Sequence, residues 1–244
     1  MPFVPKQRKL RGIQLSEYSY LKTMLAKRRG HVALISVHAD PATLATNGIA
    51  SVQSAYVKKL GEGLAQMGWQ VDMFTRCTDP EQFSEVEHLD GCRTIRLMAG
   101  EAAPLSADDT YQVLPDFVKA FVQYQSKSGI LYPLIHTHSW LSGWVGLELK
   151  QRQLIKLIHT HHALGSDRYQ DATTIPMLAS AQINTEKACR DGADQVIALH
   201  PDGESSHQGA IALDGAATVD ELDVMYRSLL NQLHCEFFAV QSVS

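Results

Sequence analysis

Several kinds of site are missing from this 244-residue sequence. The four cysteines (Cys77, Cys92, Cys189 and Cys235) are far apart and form no CxxC pair, so we expect the reduced thiols of a cytoplasmic protein. No apolar run approaches the ~20 residues that span a bilayer, and we predict neither a transmembrane segment nor a signal peptide. A glycine-rich nucleotide fingerprint is also absent. Gly48 stands alone in the loop that follows the first predicted strand, and we expect no cofactor.

Charge is distributed unevenly along the chain. Residues 1–30 contain eight Lys or Arg and one acidic residue, a balance of +7. The net charge is −4, so the remainder carries −11, which argues against nucleic-acid binding by the folded part. The basic segment either docks on an acidic partner, for which we predict a protein, or forms a helix that covers the domain. Its candidate partner-binding cations are Lys6, Arg8, Lys9, Arg11, Arg28 and Arg29.

Short apolar runs alternate with helical periodicity from residue 31 to about residue 200. The predicted strands are 31–37, 71–75, 93–98, 134–137, 155–160 and 195–199. The predicted helices between them are 50–67, 111–125, 141–150 and 177–191. This alternation predicts an α/β fold, a single Rossmann-like domain with a parallel sheet and helices on both faces. Ligands of such folds bind at the edge where the parallel strands end.

The flanking segments differ from this central part. Residues 1–30 form a basic extension, in which apolar residues at helical spacing predict a helix over 13–27. Residues 31–201 form the Rossmann-like domain. Residues 202–244 begin as a Gly-, Ser- and Ala-rich linker without apolar periodicity and continue as a helix over 219–233 that packs on the domain.

Histidines cluster at the ends of two predicted strands. His136 and His138 end one strand, and His159, His161 and His162 end the next. Residues two apart in a strand share a face, so His138 and His161 are both expected at the ligand-binding edge. A histidine there could hydrogen-bond a sugar or accept a proton from its hydroxyl.

Two alternatives remain open for these histidines. His136 and His159 could be buried and bonded to backbone carbonyls. Imidazoles also suit zinc, but no cysteine or carboxylate completes an obvious ligand set, and we predict no metal site.

The order and content of these segments resemble a known family. The sequence is similar to retaining glycosyltransferases of the sucrose-phosphate synthase and sucrose synthase group. In this group two Rossmann-like lobes form the GT-B arrangement. The first lobe binds the acceptor, fructose 6-phosphate in the synthases, and the second binds UDP- or ADP-glucose. The matching segments are 31–41, 56–61, 68–76, 135–143, 156–165 and 192–197.

The resemblance implies that this chain is the first, acceptor-side lobe, one half of a GT-B fold. It places a sugar-phosphate acceptor near Gln53, His138, Trp140, His161 and Arg168. Gln53 retains a glutamine of the family's first turn, and Arg168 is the cation that follows the second histidine motif.

The departures from the family pattern bear on catalysis. The two glycines that precede Tyr56-Val57 in the family align with Ser51 and Val52, and a β-branched Val52 hinders a close approach of ligand to backbone. The family's Ser-Pro-Gln-Glu turn aligns with residues 200–203, His-Pro-Asp-Gly. No segment corresponds to the donor lobe. We therefore expect a non-catalytic binding, regulatory or assembly module, not an enzyme on its own.

Two alternatives accompany that expectation. The chain could be the acceptor-binding half of an enzyme whose donor lobe is a separate chain, or it could be a sugar-phosphate sensor.

Overall fold

The structure is a computed structural model, and it describes residues 30–43, 49–162, 177–200, 210–214 and 219–241. The strands are β1 (His31–Ile35), β2 (Gln70–Arg76), β3 (Glu85–Leu89), β4 (Cys92–Leu97), β5 (Leu134–His138), β6 (Lys156–His161), β7 (Gln195–His200) and β8 (Ala210–Asp214). The helices are α1 (Ile49–Gln66), α2 (Ala107–Gln112), α3 (Leu114–Ser128), α4 (Ser139–Arg152), α5 (Met177–Gly192) and α6 (Val219–Gln241). The predicted helix over 13–27 lies outside the described residues.

All eight strands belong to one sheet in the order β3-β4-β2-β1-β5-β6-β7-β8. Every neighbouring pair is parallel except β3 and β4, which are antiparallel. The predicted α/β Rossmann-like fold is therefore confirmed. All strands but β3 end at one edge, which we call the carboxyl edge.

Helices cover both faces of the sheet, as expected for central strands that are buried on both faces. On one face, the α1/α6 face, Leu34 and Ile158 pack with Leu64 of α1 and Leu230 of α6. On the other, the α3–α5 face, residues at the alternate strand positions pack against α3, α4 and α5. The side-chain period of two in a strand thus decides which helices each residue meets.

Local signals explain where the helices begin and end. Ser106 caps α2, and its hydroxyl accepts a hydrogen bond from the backbone N–H of Asp109 at 3.1 Å. The helix predicted over 111–125 is in fact two helices, because Pro115 favours the first turn of a new helix over the interior of an old one. Gly68, at φ 93°, follows α1 in the left-handed conformation predicted for a helix-ending glycine.

Two strands were not predicted. β3 lies in the segment for which the sequence predicts a polar connection. Its charged residues alternate along a strand at the edge of the sheet. β8 lies in the segment interpreted as a linker, and it extends the sheet beside β7.

Helix α6 packs against α1, β5 and β6 and continues to Gln241, beyond its predicted end. Buried polar contacts fix its position. The Trp69 indole N–H donates to the Asp223 carboxylate at 2.8 Å, and the Lys156 ammonium lies 2.6 Å from the Glu236 carboxylate. No helix in these ranges is both long and apolar enough to cross a membrane.

Candidate functional site

Strands β5 and β6 bring the histidines together at the carboxyl edge, but on two faces. The strands are parallel neighbours, with His138 beside Thr160. His136 and His138 point toward the α1/α6 face, where His136 meets Tyr226 of α6. His159 and His161 point toward the α3–α5 face, where a Cβ added at Gly143 of α4 would lie 2.7 Å from the His159 ring. The two predicted site histidines, His138 and His161, therefore share an edge but face opposite helix layers.

His136 is satisfied by the protein itself. Its Nδ1 lies 2.5 Å from the Tyr226 hydroxyl, and its Nε2 lies 2.6 Å from the Thr160 hydroxyl. Burial lowers the pKa of His136 to about 3, so the ring is neutral near pH 7. Both ring nitrogens have partners, which supports the structural interpretation of this residue.

His159 is also satisfied, through a chain of hydrogen bonds with a defined direction. The Thr137 hydroxyl donates to the Ile158 carbonyl at 3.2 Å and can accept from His159 Nδ1 at 2.9 Å. His159 Nε2 is then an acceptor, and it receives the Nδ1–H of His161 at 3.3 Å. Burial and the neighbouring His161 ring hold the pKa of His159 well below its usual value. The histidine pair on this face is thus linked internally.

His138 differs from the other two. Its Nδ1 lies 3.2 Å from Nε2 of His162, but its own Nε2 makes no hydrogen bond to any described residue. The ring is fully buried, and burial keeps the pKa of His138 well below its usual value. A buried, unpartnered ring nitrogen is costly, and it marks a position where a polar group of a ligand could bind.

The Tyr56 ring lies beside that of His138, and the Tyr56 hydroxyl also has no hydrogen-bond partner in the described chain. The Tyr56 ring centroid is 5.8 Å from that of His138 and 5.4 Å from that of His162. Burial raises the pKa of Tyr56 to about 12, so the phenol keeps its proton. In the sequence, Tyr56 stands out only as the first residue of the matching family segment 56–61. Its spacing of three from Gln53 in a helix places both side chains on one face and could have identified it.

The backbone is strained directly after His138, where β5 passes into α4. Ser139, the next residue, has φ 69°, and it is the one non-glycine residue with positive φ among the residues in the described ranges. This conformation costs an L-residue roughly 1–2 kcal/mol. Strain of this kind is concentrated at functional sites, where the surrounding structure maintains it.

Gln53 connects three elements instead of presenting a free amide. Its Nε2 donates to the Ser36 hydroxyl at 3.0 Å and to the His138 carbonyl at 3.4 Å. These contacts occupy both amide hydrogens and fix the side chain between α1 and the ends of β1 and β5.

The remaining predicted site residues are accounted for as follows. Trp140 is buried on the α3–α5 face, with its ring centroid 5.5 Å from that of Tyr111. Arg168 lies outside the described residues. So do the six candidate partner-binding cations, Lys6, Arg8, Lys9, Arg11, Arg28 and Arg29.

Two arginines reach the carboxyl edge from β2 and β4, and the guanidinium group of each is bonded to other groups of the protein. Arg76 donates to the carbonyls of Cys77, Glu101 and Ala103. Arg96 pairs with the Asp40 carboxylate at 2.7 Å. In the part of the chain that the structure describes, no three histidine, cysteine or carboxylate side chains are grouped so that they could hold a metal ion.

The sheet topology, with helices on both faces, defines a Rossmann-like lobe. Residues 53–209, more than half of the chain, match the glycosyl transferase 4-like domain. The protein belongs to this family, and the predicted resemblance to one half of a GT-B glycosyltransferase is confirmed.

Individual relatives agree with this assignment. The chain is 37% identical over 135 residues to D-inositol 3-phosphate glycosyltransferase of Corynebacterium urealyticum, covering 55% of this chain and 32% of that protein. The corresponding enzyme of Corynebacterium glutamicum is 33% identical over 175 residues, covering 71% and 41%. The chain thus spans about a third of the length of the first of these relatives.

Solved structures show the same likeness. Sucrose-phosphate synthase from Thermosynechococcus elongatus superimposes with a TM-score of 0.63 at 45% identity, covering 71% of this chain and 43% of that one. A second structure under that name gives a TM-score of 0.61 at 35% identity and covers 84% of this chain and 99% of its own.

Proposed function

We propose that this chain is a non-catalytic glycosyltransferase-like module that binds a sugar or sugar phosphate at the carboxyl edge. The observation that carries the proposal is that His138 Nε2 and the Tyr56 hydroxyl have no hydrogen-bond partner among the described residues. A neutral imidazole and a protonated phenol together can donate to and accept from the hydroxyl groups of a sugar. Hydroxyl groups would repay the desolvation of both atoms, which apolar ligands could not do.

The charges at this edge support binding without transfer. Glycosyl transfer from a sugar nucleotide requires positive groups that stabilise the departing diphosphate. Within the described ranges, the Arg76 guanidinium is held by backbone carbonyls and the Arg96 guanidinium by Asp40. Val52 adds a bulky side chain, 70% exposed, in the first turn of α1.

Cysteine usage supports a cytoplasmic location for the module. All four cysteines are free thiols, and three of them are buried. A cytoplasmic sugar phosphate is therefore the ligand class that we favour. The family resemblance suggests fructose 6-phosphate as a first probe, and the names of the corynebacterial relatives suggest D-inositol 3-phosphate.

The test is a thermal-shift titration of the purified chain with fructose 6-phosphate, sucrose 6-phosphate and D-inositol 3-phosphate. A ligand at 100 times its Kd adds about 2.7 kcal/mol to the free energy of unfolding, which is readily measured. His138→Leu and Tyr56→Phe should each reduce the shift. Tyr111→Phe, which removes a hydroxyl on the α3–α5 face, should leave it unchanged.

Two outcomes would contradict the proposal. The absence of any shift at millimolar ligand would defeat sugar-phosphate binding. Turnover of UDP-glucose or ADP-glucose with a sugar phosphate by the purified chain would defeat the non-catalytic assignment.

A second candidate is an acceptor-binding half that works with a separate donor-lobe chain. Gln53 and His138 favour it, because both belong to the retained acceptor-side motifs and the Gln53 amide donates to the His138 carbonyl at 3.4 Å. Adding a donor-lobe chain of this family should then restore glucosyl transfer, and His138→Leu should abolish the gain. Continued inactivity of the mixture would remove this candidate.

A further inference from the structure

The outer edge of the sheet carries an exposed surface that the sugar-binding proposal does not use. We define the β3 surface as residues 79–90, which contain β3, together with Met98. Its apolar side chains are prominent, with Phe83 81% exposed and Met98 57% exposed. β3 is also the first strand of the sheet, and it pairs with β4 alone among the strands that the structure describes. Apolar side chains beside an open strand edge favour a covering partner.

This surface is strongly acidic. Residues 79–90 contain five carboxylates and no Lys or Arg. All five acidic residues are exposed: Asp79, Glu81, Glu85, Glu87 and Asp90. Arg93 from β4 pairs with Glu85 at 3.0 Å, so most of this charge is not neutralised by the described chain.

Hydrogen bonds hold the surface in a fixed shape. Arg96 Nη1 donates to the Phe83 carbonyl at 2.6 Å, and the Arg96 backbone N–H donates to the Ser84 carbonyl at 2.7 Å. Arg96 is itself anchored by Asp40. The backbone that presents Phe83 is therefore pre-organised, which lowers the entropy lost when a partner covers its ring.

The chain's own first 29 residues have the complementary chemistry. They contain all eight cations of the basic segment and one carboxylate. Leu15, Tyr18, Leu21 and Leu25 recur at helical spacing and would form one apolar stripe. A helix over 13–27 would be about 22 Å long and β3 about 17 Å, so one such helix can follow the whole strand.

The point where this segment leaves the fold is close to β3. The Gly30 carbonyl accepts from the Gln70 N–H, and the Val71 N–H donates to the carbonyl of Gly91, the residue after Asp90. From β1 to β3 there are three strand spacings, about 14 Å. About five residues of extended chain cover that distance, so a helix that follows β3 would end near Leu25, two residues before its predicted end, and residues 26–30 would connect it to β1.

We propose that the β3 surface binds residues 1–29 of the same chain, with the basic side chains on its carboxylates and the apolar stripe on Phe83 and Met98. The segment and its binding surface are then joined by a short linker, which raises their effective concentration and favours contact within one molecule. The interaction is independent of whether the carboxyl edge binds a sugar.

Zero-length carbodiimide cross-linking of the full chain tests this proposal, because it joins lysines to carboxylates only in direct contact. We expect cross-links from Lys22 and Lys27 to Glu81, Glu87 or Asp90, mapped by mass spectrometry and confined to the monomer. Raising the salt from 0.1 M to 1 M should reduce their yield at least fivefold, since the Debye length falls from about 10 Å to about 3 Å.

A charge-matched pair of variants separates this surface from net charge. The triple variant Glu81→Gln, Glu87→Gln and Asp90→Asn should accelerate tryptic cleavage within residues 1–29 at least fivefold. The control Asp108→Asn, Asp116→Asn and Asp191→Asn removes three exposed carboxylates elsewhere and should leave the cleavage rate within twofold of the original. Phe83→Ser should accelerate cleavage while all charges are retained.

Three results would overturn the proposal. Cross-links that fall elsewhere or fail to form would exclude the β3 surface. Equal cleavage rates in the two triple variants would reduce the effect to net charge. Cross-links found between molecules, in a dimer that grows with protein concentration, would assign the surface to a second copy.

Discussion

The two faces of the sheet carry similar histidine pairs with opposite outcomes. On the α3–α5 face, Thr137, His159 and His161 form a hydrogen-bonded series in which each ring nitrogen of His159 is used. On the α1/α6 face, both ring nitrogens of His136 are bonded, but the Nε2 of its neighbour His138 has no partner in the part of the chain that the structure describes. One motif of alternating histidines therefore produces a structural pair on one face and a candidate ligand-binding residue on the other.

The difference comes from the neighbouring elements that each ring meets. His136 has two partners because α6 places Tyr226 at its Nδ1 and β6 places Thr160 at its Nε2. The ring of His138 lies against that of His136, with a centroid distance of 4.3 Å, and faces Tyr56 of α1, whose hydroxyl also has no partner among the described residues. We call His136, whose two ring nitrogens are both bonded, the closed site on this face, and His138, whose Nε2 has no partner among the described residues, the open site.

Acidification should have the largest effect on stability, because it acts on several buried rings at once. Burial lowers the pKa of His136 to about 3 and that of His162 to about 4, against 6.5 when unfolded. Below pH 6.5 the unfolded chain binds more protons, so stability is complete above that pH and is lost as the pH falls toward 4 and 3. Each ring should cost about 2 kcal/mol between pH 7 and pH 5.

Urea unfolding at pH 7, 6 and 5 measures this loss. His136→Leu should show a smaller decrease over the same range, by about 2 kcal/mol. Equal free energies of unfolding at pH 7 and pH 5 in the original chain would show that these rings are not buried as neutral groups.

The second-largest effect is expected from His136→Leu at pH 7. Leucine has a similar size but leaves the hydroxyls of Tyr226 and Thr160 without their ring partners in a buried place. An unsatisfied buried hydroxyl costs about 1–3 kcal/mol, so we expect a total near 3 kcal/mol in urea unfolding. A change below about 1 kcal/mol would indicate that both hydroxyls find other partners.

The central sheet could be predicted from sequence because its strands are apolar on both faces. The segment around Leu34 is a continuous apolar run, those around Met73 and Ile158 are shorter apolar runs, and their alternation with helices leaves little choice of fold. β3 was missed because an edge strand carries charges such as Glu85 and Glu87 on its exposed side. β8, in a segment rich in small residues, lacks a run long enough to distinguish it from a linker.

The location of the site could be predicted from the sequence, but the atoms that form it could not. Histidines at strand ends placed it at the carboxyl edge, but the same spacing describes His136 and His138 equally well. Which nitrogen remains open depends on Tyr226 and Thr160, and contacts across 90 and 24 residues are set by tertiary packing. The sequence also could not show which groups the Gln53 side chain contacts. Its amide donates to the Ser36 hydroxyl and to the His138 carbonyl, both of which depend on tertiary packing.

The smallest effect on stability is expected from His138→Leu, and it tests the comparison most directly. The substitution loses one contact, between Nδ1 and His162, and removes a ring nitrogen that no described residue contacts by a hydrogen bond. The cost of the lost bond is about 1 kcal/mol, and relief of the buried Nε2 offsets part of it. In urea unfolding, the free energy of unfolding of this variant should therefore lie within about 1 kcal/mol of that of the original chain. The variant should be clearly more stable than His136→Leu. Destabilisation as large as that of His136→Leu would mean that Nε2 already has a structural partner, and the distinction between a closed and an open site on this face would be lost.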